Sequence, residues 1–121
     1  MKVPSYQNLI VWQKAMDLTT EIYRLTKKLP NEELYGLTNQ MRHAAVSIPS
    51  NIAEGNGRAS TKDYVRFLSI ARGSKSEIET QLLLCVKLDY LQQSEVDETL
   101  NLCTEIGKMI NAMILKFRDR D

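Results

Sequence analysis

The sequence predicts an all-α protein, an antiparallel up-down-up-down four-helix bundle, and three observations carry that prediction. Apolar residues recur at steps of three and four along most of the chain, which is the spacing of one helix face. No window alternates apolar and polar residues at the period of two that a half-buried strand requires. The connections between helical patterns are short, and short connections between long helices make neighbours antiparallel. With 121 residues the chain suits a single domain spanning 1–121, because two domains would each lack apolar surface for a core.

The first helix is expected at about residues 8–29. Trp12, Ala15, Thr19, Ile22, Thr26 and Leu29 form its seam, Val11, Leu18 and Leu25 flank it, and Pro30 stops it. The second is expected at about 37–54, with Leu37, Met41, Ala44, Ala45, Ile48 and Ile52 inward. Pro49 lies inside it and should bend it, leaving the Ala45 carbonyl in need of another donor. Asn51 and Glu54 are placed to bond that carbonyl, the turn amides or Arg58. Gly55 and Gly57 are expected to end the helix in the left-handed conformation, with Asn56 between them tolerating it as well.

The third helix, at about 60–91, opens on Ser60-Thr61-Lys62-Asp63, close to a capping box. Its core seam is Tyr64, Leu68, Ala71, Ile78, Leu82 and Cys85, and a second stripe of small residues, Ser69, Gly73, Ser76 and Thr80, lies almost opposite. The fourth, at about 94–117, starts from Ser94 as cap. Val96, Leu100, Cys103, Ile110, Ile114 and Phe117 form one seam, and Leu102, Ile106, Met109 and Met113 a second. A monomeric bundle helix needs one seam. The surplus, with the run Leu82 to Val86, points to a closed homo-oligomer.

Composition narrows the class. The 43% hydrophobic and 26% charged residues are ordinary for a globular protein, and no apolar run nears the roughly 20 residues of a membrane span. The N-terminus lacks the apolar region of a signal peptide, so a cytoplasmic protein is expected. Cys85 and Cys103 have no partner at metal-ligand spacing and read as buried free thiols. Net charge is +1, yet residues 1–76 hold 11 Lys/Arg against 6 Asp/Glu and residues 77–121 hold 5 against 9. That asymmetry suits a polyanion on one face or self-association between faces.

Catalysis has little to stand on, since the one histidine, His43, has no nucleophile or base suggested beside it. No Glu-x-x-His pair offers a metal site, and no cofactor is expected. GNGRAST lacks the GK[ST] ending and preceding strand of a nucleotide loop. What remains is a basic cluster, Arg58, Lys62, Arg66, Arg72 and Lys75, opposed by Asp63. Lys75 turns toward the core seam, so the five do not form one patch. A phosphate-binding surface and a plain solvated helix face both fit it.

The strings VWQKAMDL, YGLTNQMRHAAVSIPSNIAEGNGR and RFLSIARGSKSEIETQLLL, followed by Leu88, Asp89, Tyr90 and Leu91, resemble the four-helix-bundle proteins encoded in intervening sequences of bacterial 23S ribosomal RNA genes. The resemblance covers residues 6–91; AVSIPSNIAEGNGR is its most specific part and the fourth helix is generic. It implies a bundle similar in fold to the pentameric accessory protein of diversity-generating retroelements, a barrel thought to bind nucleic acid and a reverse transcriptase. A homopentamer is the implied assembly, and no enzymatic activity is implied. The near-neutral charge differs from that strongly basic accessory protein.

Two functions are therefore expected in turn. The first is a non-enzymatic homo-oligomer that binds RNA or DNA through Arg58, Lys62, Arg66 and Arg72, with Lys27 and Lys28 as lesser contacts. The alternative is an interaction scaffold or accessory subunit that binds no nucleic acid. It would use Ser69, Gly73, Ser76, Thr80, Leu83, Leu84, Met109 and Met113 for its subunits or a foreign helix. Pro49, Asn51, Glu54, Gly55 and Gly57 read as a structural corner in both.

Overall fold

In the computed structural model, which describes residues 5–118, four helices follow one another: α1 (Ile10–Thr26), α2 (Leu37–Asn56), α3 (Thr61–Lys87) and α4 (Gln93–Arg118). Single 3-10 turns precede α1 and α2, at Tyr6–Asn8 and Asn31–Glu33. Side-chain pairs fix the directions. Gly55 of α2 meets Tyr64 and Phe67 of α3, Ser47 meets Ser74, and Met41 meets Cys85, so one helix rises as the other descends. Thr19 reaches Ala45 and Arg42 reaches Thr26 between α1 and α2. Tyr64 with Phe117, and Arg72 with Asn111, give α3 and α4 the same relation. Lys14–Glu105 and Lys28–Glu95 close α1 onto α4. The all-α bundle is the fold.

The core runs through all four helices. Leu18, Ile22, Leu25, Met41, Ile48, Ile52, Leu68, Ile78, Leu82, Val96, Ile106 and Ile110 are its largest fully enclosed side chains, each contributing about 1.5–3 kcal/mol by leaving water. The seams expected for the second and third helices are inside, with only Leu37 at the margin. In α1 both the expected seam and its flank are inside: Ala15, Ile22, Thr26 and Leu29 are buried together with Val11, Leu18 and Leu25, and only Trp12 and Thr19 lie at the edge, Thr19 facing α2. In α4 Ile106 belongs to the core, while Leu100 and Phe117 are partly covered.

The helix ends differ from the sequence reading for local reasons. α1 stops at Thr26 because Pro30 pushes Leu29 away from helical backbone, and Lys28 and Leu29 instead bond the carbonyls of Leu25 and Thr26 in tight turns. α2 runs through Pro49 to Asn56. The carbonyl of Ala45 that Pro49 cannot serve accepts a bond from the Thr19 hydroxyl at 3.0 Å, while Asn51 donates to Ser47 and Glu54 accepts from Arg58. Neither Asn51 nor Glu54 rescues the freed carbonyl; a threonine on the neighbouring helix does.

Gly55 and Gly57 are not left-handed. Gly57 caps α2 at φ −85° and ψ −3°. Gly55 is buried inside α2, where a Cβ would lie 2.8 Å from Phe67 Cβ and 2.9 Å from Tyr64 Cδ1. It permits a close crossing of two helices. Among the described residues the left-handed one stands elsewhere: Asp89, at φ 63°, follows the end of α3 at Lys87, four residues before the expected Leu91. Tyr90 N–H bonds Cys85 O and Asp89 N–H bonds Val86 O, the paired bonds of a Schellman end. Ser60 does cap α3, accepting from Asp63 N–H at 3.1 Å. Ser94 does not cap α4; it lies within the first turn, and the Glu95 carboxylate reaches back to Gln92 N–H at 2.8 Å. Among the described residues no helix is long and apolar enough to cross a membrane.

Candidate functional site

The sequence placed its basic candidates on the α2–α3 corner, and the packing there explains which of them gather. With no Cβ on Gly55, α3 crosses α2 closely at Tyr64 and Phe67, and Tyr64 stacks on Phe117 of α4, ring centroids 4.8 Å apart. Tyr64 also accepts a bond from Asn56 at 3.2 Å. Phe67 then lies under two cations, with the Arg66 and Arg58 guanidinium carbons 4.4 and 4.9 Å from its centroid. Such contacts contribute about 0.5–1 kcal/mol at exposed sites. Arg58 pairs with Glu54 at 2.6 Å, and Arg66 lies 3.8 Å from Asp63. Lys62 is exposed and forms no ion pair among the described residues.

Three cations therefore face two carboxylates. Exposed pairs of this kind hold only about 0–1 kcal/mol each, so a polyanion could displace them. Arg72 stands farther along α3 and donates to Asn111 Oδ1 at 2.9 Å. Lys75 is separate: its side chain, 14% exposed, lies against Gly107 and pairs with Glu79.

The antiparallel packing adds two cations that the sequence reading did not consider. Lys108 precedes Asn111 by one turn on the outer side of α4, and Arg118 follows Phe117, level with the start of α3; both are exposed. They add two exposed cations on α4, the helix that Arg72 touches. No local motif marks them, and only the register of α3 against α4 sets their height along the bundle.

Elsewhere part of the charge asymmetry is offset within the bundle. Lys14 pairs with Glu105 at 3.2 Å and Lys28 with Glu95 at 2.6 Å, so cations of the first part meet carboxylates of the second. Lys28, together with the Gln92 amide, holds the Glu95 carboxyl below its ordinary range. Of the lesser candidates, Lys28 is thereby occupied and Lys27 is exposed at the bundle end away from Arg58.

The candidate interface residues fall on two faces. Gly73, Ser76, Thr80, Leu83 and Leu84 are exposed along α3, with Ser69 half-buried. Thr80, Leu83, Leu84 and Val86 border a groove of about 490 Å³ beside Gln93 of α4. Met109 and Met113 are instead half-buried against the core on the side of α4 toward α1, bordering a groove of about 360 Å³ with Ile10 and Phe117. A third groove, of about 370 Å³, opens between α1 and α2 around Pro49, lined by Tyr6, Trp12, Met16 and Val46.

For chemistry the molecule offers little. His43 is exposed, and its neighbour Arg42 lies 4.8 Å over the Tyr23 ring while donating to Thr26. Burial pushes the free thiols of Cys85 and Cys103 up to about 11 and about 12, far from the thiolate a nucleophile needs. Among the described residues no group of His, Cys, Asp and Glu is arranged to hold a metal ion.

These features define a class first: an antiparallel helical bundle with apolar grooves and a basic corner. The family model of the 23S rRNA-intervening sequence protein matches residues 7–112, and the chain belongs to that family. The match runs on into α4, beyond the part where the sequence resemblance is specific. Among similar solved structures is the 1.70 Å crystal structure of a protein with unknown function from the S23 ribosomal protein family of Bacteroides thetaiotaomicron VPI-5482. It is 28% identical with a TM-score of 0.80, covering 87% of this chain and 98% of that one. No curated protein matches the chain.

Proposed function

We propose that the protein is a non-enzymatic helical bundle that self-associates and serves as an interaction scaffold. The observation that carries this reading is the set of apolar grooves along three different helix pairs, with Ile10, Met16, Val46, Leu83 and Leu84 each at least 41% exposed. Exposed apolar side chains gathered along grooves suit contact with another chain. Grooves on different faces suit a head-to-tail contact that closes into a ring. Five subunits is the number the family resemblance implies.

The test is the molar mass of paired variants in solution. Leu83→Glu/Leu84→Glu and Met16→Glu/Val46→Glu should each lower it while leaving the helical circular dichroism unchanged. Two variants that keep the parent's mass would remove the α3–α4 and α1–α2 grooves from the interface.

Nucleic-acid binding is the second reading, favoured by the exposed cations Lys62, Arg66 and Arg72 on α3 and Lys108 and Arg118 on α4. The Glu54 and Asp63 pairs lower the net charge of that face, so affinity should be weak. It should fall steeply with salt as phosphate counterions are released. A Lys62→Glu/Arg66→Glu/Lys108→Glu variant that binds RNA and DNA as the parent does would remove this surface.

A further inference from the structure

One Asn-Gly pair occurs in the chain, Asn56-Gly57, at the end of α2. Asparagine before glycine is the pair most open to attack by its own backbone, since glycine puts no Cβ beside the approaching nitrogen. In that reaction the Gly57 amide nitrogen loses its proton to hydroxide and bonds to Asn56 Cγ. The Cγ–Nδ2 bond then breaks, and ammonia leaves with a proton from water. Water next opens the five-membered imide, giving aspartate or isoaspartate. The balance is one water consumed and one ammonia released.

The corner ties down both reacting groups. Gly57 N–H donates to the carbonyls of Ala53 and Glu54, at 3.3 and 3.2 Å, and Asn56 Nδ2 donates to the Tyr64 hydroxyl at 3.2 Å. The Arg58–Glu54 pair spans the same turn. Helical backbone at Asn56 holds the Gly57 nitrogen away from Cγ, so reaction requires the last turn of α2 to open. Last turns are the part of a helix that opens most readily.

We infer that Asn56 is a latent deamidation site, guarded by Tyr64 and by the bonds of the Gly57 amide, whose conversion changes the charge of the basic corner. The new carboxylate would stand at the negative end of α2, where the helix dipole disfavours it. It would also compete with Glu54 for Arg58, leaving the corner with one more negative charge beside Lys62 and Arg66.

The experiment incubates the full chain at mildly alkaline pH and follows each asparagine by peptide mass mapping. The parent is compared with Tyr64→Phe, Gly57→Ala and the parent in denaturant. Gly57→Ala is a sound control because the added Cβ would make only ordinary contacts, at 3.7 and 3.8 Å, with backbone at φ −85°. In denaturant Asn56 should convert ahead of Asn39 and Asn101, and it should convert faster in denaturant than folded. Loss of one hydrogen bond in Tyr64→Phe should raise the folded rate about two- to fivefold. Gly57→Ala should suppress it. Conversion of Asn56 no faster than that of Asn39 in denaturant, or as fast folded as in denaturant, would overturn the inference, as would a folded Tyr64→Phe with the parent's rate.

Discussion

The two corners that flank α3 turn the chain with opposite residues. The α2–α3 corner holds two glycines, yet neither adopts positive φ; the α3–α4 corner holds none, and there Asp89 takes the left-handed conformation. At the first corner glycine removes a side chain between crossing helices. At the second, backbone bonds from Asp89 and Tyr90 close the end of α3. The Tyr90 hydroxyl then donates to Glu33 at 2.8 Å, and Glu33 also accepts from Leu37 N–H. One corner is set by packing and the other by backbone hydrogen bonds, so the same substitution should act differently at each.

The largest effect is expected at Gly55. Gly55→Ala gains helix propensity but drives a methyl into Phe67 and Tyr64. Net destabilisation should be about 2 kcal/mol, lowering the melting midpoint by about 5–10 °C. Gly57→Ala, two residues on, should leave the midpoint within about 0.5 kcal/mol of the parent. Equal effects at the two glycines in thermal melts would break the distinction between close approach and turn geometry.

Asp89 supplies the converse. Asp89→Val places a β-branched residue at φ 63° and should lose about 1–2 kcal/mol. Asp89→Gly should gain about 0.5–1 kcal/mol. Denaturant titrations read both, and a neutral Asp89→Val would mean that the turn yields.

The smallest effect is electrostatic. Leu37 N–H first, and the Tyr90 hydroxyl second, hold the Glu33 carboxyl below its ordinary value of 4.5. A depressed carboxylate stabilises the fold above that value, and the contribution disappears as pH falls through the lower folded value. Glu33→Gln should therefore flatten stability against pH below 4.5, and Tyr90→Phe should flatten it in part. Profiles that superimpose on the parent's would remove Glu33 as the tie between the α1–α2 connection and the α3–α4 corner.

How much was legible depended on whether the signal was local. The inner faces of α2 and α3 could be read because Met41, Ala44, Ala45, Ile48 and Ile52, and Leu68, Ala71, Ile78 and Leu82, leave no rival apolar stripe of equal size. In α1, Val11, Leu18 and Leu25 compete with Trp12, Ile22 and Leu29, and only contact with α2 and α4 fixes the rotation. Phe67 and Gln81, both buried on α3, were missed because neither lies on the strongest stripe. Pro49 was read correctly as freeing a carbonyl, but the donor, Thr19, sits on another helix. Of the basic surface, Arg58, Lys62 and Arg66 were local, whereas Lys108 and Arg118 required the register of α3 against α4.

The central functional claim is that this bundle does not remain alone in solution. Sedimentation equilibrium of the full chain across the micromolar range tests it most directly. The grooves predict a closed species several times the mass of one chain, with a mass independent of concentration once formed. A single-chain mass throughout would contradict the account.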